Sequence, residues 1–206
     1  ASSDTNYPVN FLLFDYKGEF SDPENASWLS LFDTDSAAIL DPIREPLPFS
    51  PFKDFTGKTI NELNLYSTTL ATALSAIATG ARISANMDNR LSQAIINAYK
   101  ENELKPVTFE KIYNHYNRLL PEKKQGEMDS VKSVLDQLVR NNIFSNEDKI
   151  DLIKTCNIIN LGQFEKNGVI AKAIVYFVIS KLNNIYEQLP KQEVNDERVE
   201  IRHFTI

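Results

Sequence analysis

The feature that most constrains this chain is the run Phe11-Leu12-Leu13-Phe14, which stops abruptly at Asp15-Tyr16-Lys17-Gly18-Glu19. Four consecutive apolar residues with no polar alternation predict a strand buried on both faces of a parallel sheet. In open parallel sheets ligands bind beyond the carboxyl ends of the strands. Asp15, Lys17 and Glu19 therefore stand where chemistry would stand. Yet the chain holds no G-x-x-x-x-G-K-[S/T] phosphate loop. One half of an active site is written here without the other.

Several classes fall away on composition. With 42% apolar and 24% charged residues in 206, the chain is globular and long enough to bury a core. A net charge of −6 gives no whole-chain electrostatic grip on nucleic acid, although a local basic patch is still allowed. The single cysteine, Cys156, has no intramolecular disulfide partner, and two histidines leave no zinc set. That cysteine usage makes the cytoplasm the expected compartment. The apolar stretch from Val169 to Ile185 is interrupted by Lys172, Lys181, Asn183 and Asn184. It falls short of the roughly 20 apolar residues of a membrane span and reads as a core helix.

Three regions follow, at 1–55, 56–154 and 155–206. In the first, Ile39 and Leu40 suggest a short strand ended by Asp41-Pro42. Pro42, Pro46, Pro48 and Pro51 then forbid a helix and favour an extended path along a surface. In the second, Thr59 and Glu62 form a capping-box signature ahead of Ile60, Leu63, Leu70, Leu74 and Ile77, with Gly80 as a stop. A second helix is expected from near Asp88, carrying Leu91, Ile95 and Tyr99 and broken by Pro106. Thr108 caps a third helix with Phe109, Ile112, Tyr116 and Leu119 on its apolar side. Pro121 to Gly126 reads as a loop. Asp129 caps a fourth helix with the stripe Val131, Val134, Leu135, Leu138, Val139, and a short helix is expected over 147–154. In the third region Cys156 to Leu161 reads as a strand, Val169 to Glu187 as a long helix packed on the sheet, and IRHFTI as a strand opening where the sequence stops. That ending suggests a fragment.

The order of these signals resembles the HerA/FtsK/VirB4 superfamily of P-loop DNA-translocating ATPases. The resemblance is carried by Phe11 to Phe20, an apolar strand followed by Asp-x-Lys-Gly-Glu-aromatic, and by Leu40 to Pro51, the Leu-Asp-Pro … Pro-Leu-Pro-Phe-x-Pro segment. It implies an α/β fold, a partial RecA-like sheet core with a large all-helical insertion. The chain would be the segment between Walker A and Walker B, and among relatives the style is that of phosphorothioate-dependent restriction systems, which act in DNA defence. It further implies ATP and Mg in the parent protein, with none bound tightly by this chain alone. The implied partners are DNA and further copies of the parent in a homo-oligomeric ring, with no membrane. Asp15 and Glu19 become candidate catalytic acids near the γ-phosphate, orienting water or helping to position magnesium. Lys17 would reach a phosphate or pair with Glu19, and Gly18 would let the backbone turn with positive φ. Arg82 and Arg90 are candidate arginine fingers for a neighbouring subunit.

Each assignment has a plainer counterpart. Residues 15–19 also read as an acidic strand-end turn with a surface Lys–Glu pair worth about 0–1 kcal/mol. Arg82, Arg90, Lys123 and Lys124 also read as solvated surface cations, and His115 as a half-exposed helix residue. Two functional alternatives stand beside the ATPase. One is a non-enzymatic helical protein-interaction module. The other is a helix-turn-helix-like DNA-binding module over Thr108–Phe144, in which Lys132 and Arg140 are offset by Asp129 and Asp136.

Overall fold

The computed structural model describes residues 10–22, 24, 37–53, 55, 57, 59–78, 83–149, 152–153 and 155–189. Their element order is β1 (Leu12–Asp15), β2 (Ala37–Leu40), α1 (Ile60–Ile77), α2 (Ala85–Glu101), α3 (Phe109–Arg118), α4 (Glu122–Gln125), α5 (Ser130–Asn141), β3 (Cys156–Asn160) and α6 (Val169–Gln188). The expected strand at IRHFTI, the stop at Gly80, and Arg82 all lie outside the described residues.

The three strands form a parallel sheet in the order β1-β3-β2. Leu12 pairs with Asn157 and Asp15 with Asn160, while Ala37 pairs with Cys156 and Leu40 with Ile159. The parallel sheet agrees with the sequence pattern, but the depth of β1 does not. β1 is an edge strand among the described residues, and Leu12, Leu13 and Phe14 are half-buried. β3, flanked on both sides, is the buried one, with Ile158 and Ile159 inaccessible. The buried polar residue of β3, Asn157, donates to the Leu152 carbonyl at 3.2 Å and to the Thr155 carbonyl at 2.9 Å. Its burial therefore leaves the amide satisfied.

The helices begin where side-chain caps allow. Glu62 N–H donates to Thr59 Oγ1 at 3.3 Å and Thr59 N–H to Glu62 Oε2 at 2.8 Å, a complete capping box for α1. Thr108 and Asp129 cap α3 and α5 by the side-chain bond alone, accepting from Lys111 N–H and Lys132 N–H. α2 starts earlier than its pattern suggests, because Ser84 is its cap and Asp88 instead accepts from Ser75 of α1 at 2.7 Å. It also ends before Pro106 could break it. Glu103 and Leu104 adopt φ of 55° and 61°, and Leu104 N–H returns to the Tyr99 carbonyl. Leu120, not Leu119, turns inward after α3. The expected loop at 121–126 contains the single-turn α4, and the described residues of 147–154 are bends and turns, not a helix.

The proline-rich segment departs furthest from expectation. It is non-helical, as four prolines require, and it follows the surface over 43–46, where Ile43 is 52% exposed, but from Leu47 onward it enters the core. Leu47, Phe49 and Phe52 are 1%, 1% and 2% exposed. Leu47 N–H donates to the Ile143 carbonyl, Ser145 N–H to the Leu47 carbonyl and Lys149 N–H to the Pro48 carbonyl, each at 2.8 Å. These bonds satisfy a backbone that would otherwise be buried unpaired. Phe52 then packs edge-on against Phe109 at 4.7 Å, and Phe177 of α6 meets Phe109 at 5.6 Å and Phe144 at 5.4 Å. One continuous buried cluster links all three stretches of the sequence.

α6 is 20 residues long with a mean hydropathy of 1.3, enough by length and composition alone to cross a bilayer. Its inward face is nonetheless committed to this core through Ile174, Phe177, Val178 and Leu182. The buried Lys181 ammonium binds Asp148 Oδ2 at 2.9 Å, and Asp148 Oδ1 accepts from Ser50 N–H at 2.9 Å. Burial raises the Asp148 carboxyl, but the bonds from Ser50 and Lys181 outweigh it and hold the group below its ordinary pKa.

Candidate functional site

β1 delivers Asp15 to the carboxyl edge of the sheet, and the chain then wraps round that side chain. Oδ1 accepts from Gly18 N–H at 2.9 Å and Lys17 N–H at 3.3 Å. Oδ2 accepts from Phe20 N–H at 2.9 Å, Ser21 N–H at 2.9 Å and Ser21 Oγ–H at 2.8 Å. Two carboxylate oxygens offer about four lone-pair sites, so five donors saturate the group. Asp15 is 4% exposed. Burial pushes its carboxyl up, yet the Ser21 hydroxyl and the three backbone donors prevail and hold it below the ordinary value. In this arrangement Asp15 is an ionised anchor that shapes the turn.

The remaining β1 candidates ride on that anchor. Gly18 has φ +74°, the left-handed conformation expected of it, and lets the chain reverse above Asp15. Lys17 and Glu19 point outward, 78% and 64% exposed, with Nζ and Oε1 3.8 Å apart. So open a pair contributes little to stability, and both groups are free to reorient toward a ligand. One ammonium and one mobile carboxylate fit part of a magnesium–triphosphate site, and Asp15 has no lone pair left to add. Among the described residues no group of three His, Cys, Asp or Glu side chains could hold a metal ion.

Asp15, Lys17, Gly18 and Glu19 thus come together in one turn. Arg90 lies elsewhere, on α2, with its guanidinium carbon 5.9 Å from the ring centre of Tyr116. The Tyr116 hydroxyl donates to Asp129 Oδ2 at 2.9 Å. Burial, reinforced by that carboxylate, pushes the Tyr116 hydroxyl well above the usual tyrosine range. His115 is paired with Glu101, which also draws Arg118 to 3.9 Å. Lys132 is 3% exposed and donates to the carbonyls of Gln125 at 2.6 Å and Glu127 at 2.8 Å, while Arg140 is paired with Asp136. Of the two cations of α5, Lys132 is therefore spent inside the protein's own structure, while Arg140 is 70% exposed in a surface pair.

Three participants were not singled out as site residues. Ser21 supplies two of the five donors to Asp15, six positions along, where no motif marks it. Asn160, the register partner of Asp15, accepts from Gly162 N–H at 3.0 Å. Gly162 follows β3, and nothing local in the sequence marks it as a residue that packs on the β1 turn. Beside the turn lies an open, largely apolar groove of about 550 Å³. Tyr16 lines it together with Ala73 and Ile77 of α1 and Val175, Tyr176 and Ile179 of α6.

No family model matches the sequence. No curated protein matches it either. Five solved chains do match in structure. Among them is VirB4 of Thermoanaerobacter pseudethanolicus, with a TM-score of 0.55 at 13% sequence identity. The match covers 87% of this chain and 50% of that one, so this chain spans half the length of its structural neighbour. At that identity the likeness is one of fold. The chain is an α/β protein whose parallel strands and helices follow half of VirB4, consistent with a partial RecA-like core carrying helical elements.

Proposed function

We propose that this chain is a segment of a P-loop ATPase of the DNA-translocating kind, contributing part of the nucleotide site together with a helical insertion. The observation that carries the reading is the β1 turn. A parallel strand ends in a saturated, ionised Asp15 that holds Lys17 and Glu19 out at the carboxyl edge of the sheet, in a fold shared with half of VirB4. Glu19 is assigned to orienting the attacking water and Lys17 to a phosphate oxygen. Asp15 and Gly18 fix the turn that presents them. ATP with Mg supplies the phosphoryl bond and its charge neutralisation when bound. The phosphate loop and the Walker B acids belong to polypeptide outside this sequence, so the chain alone does not hydrolyse ATP. DNA and further copies in a ring are the partners of the parent, and Arg82 or Arg90 is its candidate finger. A cytoplasmic role in DNA defence belongs to the same proposal and rests on the sequence resemblance.

The test uses the natural polypeptide that contains this sequence. Glu19→Gln should lower DNA-stimulated ATP turnover roughly a hundredfold and leave the melting curve unchanged. Normal turnover in that variant refutes the assignment. The interaction-module reading is favoured by the apolar groove beside Tyr16, and it would be selected if the natural polypeptide showed no ATPase activity at all.

A further inference from the structure

The turns that follow β1 and β3 meet backbone to backbone. A Cβ placed on Gly162 would stand 3.0 Å from the Gly18 nitrogen, 3.1 Å from its Cα and 3.2 Å from the Lys17 carbonyl carbon. All three are main-chain atoms, so no side-chain rotation relieves the crowding. Among the described residues Gly18 is the glycine with positive φ. Gly162 is therefore required by space and not by its own dihedral. The Gly162 N–H is tied down by Asn160 Oδ1 at 3.0 Å. Two further contacts join the same turns. Leu161 N–H donates to the Asp15 carbonyl at 2.9 Å, and the Lys166 ammonium lies 5.8 Å from the ring centre of Tyr16.

We infer that Gly162 is a positioning residue: it seats the Asp15–Ser21 turn against the end of β3 and thereby fixes where Glu19 stands at the edge of the sheet. The inference rests on the proposed role of Glu19. The contact is short and rigid, and β3, its turn and α6 are continuous in sequence. A shift of the β3–α6 corner therefore moves the Glu19 turn with it. This gives the helical face of the protein a mechanical route to the site.

Gly162→Ala in the natural polypeptide tests the idea. Gly126→Ala is the control, because nothing lies within 4 Å of a Cβ at Gly126. The first readout needs no nucleotide. Amide hydrogen exchange over 16–21 reports the N–H groups of Gly18, Phe20 and Ser21 that bind Asp15. Exchange there should accelerate at least about tenfold in Gly162→Ala and stay unchanged in the control. The second readout is steady-state hydrolysis, where kcat should fall about tenfold through Glu19 and KM for ATP should rise only about threefold through Lys17, because the same turn carries both. Unchanged exchange in Gly162→Ala overturns the positioning role even if Glu19→Gln is inactive. Accelerated exchange with full activity in Glu19→Gln overturns the reading of Glu19 instead. Should Gly162→Ala fail to fold, Asn160→Ala removes the acceptor of the Gly162 N–H without a clash. It should give the same pattern at about threefold, and unchanged exchange in it overturns the inference.

Discussion

Replacing Asp15 by Asn is the sharpest probe of how the β1 turn is held. The side chain keeps its shape but loses its charge and half its acceptors. Whichever way the amide is flipped, an NH₂ group faces donors. With the remaining oxygen toward Phe20 and Ser21, the bonds from Gly18 N–H at 2.9 Å and Lys17 N–H at 3.3 Å are lost. The other flip loses the bonds from Phe20 N–H and Ser21 N–H, both at 2.9 Å, while the Ser21 hydroxyl turns to accept from the amide. The first is the milder outcome, and the surviving bonds also lose their charge assistance. Net hydrogen bonds to charged groups are worth about 1.5–3 kcal/mol each, less where water can replace the partner, as it can at this rim. About 3 kcal/mol of destabilisation follows, read as a lower urea midpoint by circular dichroism.

The pH dependence makes that prediction specific. Asp15 has its pKa lowered from 3.8 in the folded state, by the Ser21, Gly18 and Phe20 bonds working against burial. The unfolded state therefore takes up the proton first as acid is added. The stabilisation from the charge is complete above the unfolded value. It is lost as pH falls through 3.8 toward the folded pKa. The gap between wild type and Asp15→Asn should be largest near neutral pH and narrow below about pH 4. Asp148 titrates in the same direction, so the difference between the two proteins, not the acid transition of either, is the quantity to follow. A gap under about 0.5 kcal/mol, or one that does not change with pH, refutes the view of Asp15 as an ionised anchor.

Lys132→Met removes the ammonium that ties the Gln125 and Glu127 carbonyls. It should cost about 1–3 kcal/mol and speed tryptic cleavage after Lys123 or Lys124, read by mass spectrometry. Lys181→Met leaves Asp148 with Ser50 N–H but without its buried cation. A loss of about 2–3 kcal/mol is expected in denaturant unfolding, together with a weaker acid dependence. Thr59→Ala breaks the capping box of α1 and should lower stability by about 1 kcal/mol in the same assay.

What could be read in the sequence follows the range of the forces involved. Caps act across three residues, so Thr59, Thr108 and Asp129 were found in place. The stripe of α5 and the apolar run of β3 were equally plain, since local period decides them. Errors came where a distant partner set the outcome. Leu12–Phe14 reads as a strand buried on both faces, but how deeply it is covered depends on its pairing with β3, about 140 residues later. Pro42–Pro51 correctly forbids a helix. No local rule says that Leu47 will trade hydrogen bonds with Ile143 and Ser145 and so become buried.

The same distinction governs the candidate site. An acidic residue at the end of a parallel strand is visible in one dimension, and so is the glycine three positions later. Whether the carboxylate is offered to a ligand or consumed by the fold depends on its donors, and those of Asp15 are four residues among the next six of its own chain, Lys17, Gly18, Phe20 and Ser21. Ser21 decides the matter by adding a hydroxyl and an N–H to one oxygen. Once Asp15 is saturated, the chemical candidates of the turn shift outward to Glu19 and Lys17, whose exposure leaves them free to meet a ligand. The order of burial along five residues thus separates the side chain that builds the turn from those the turn presents. The backbone contact at Gly162 ties both to the central strand.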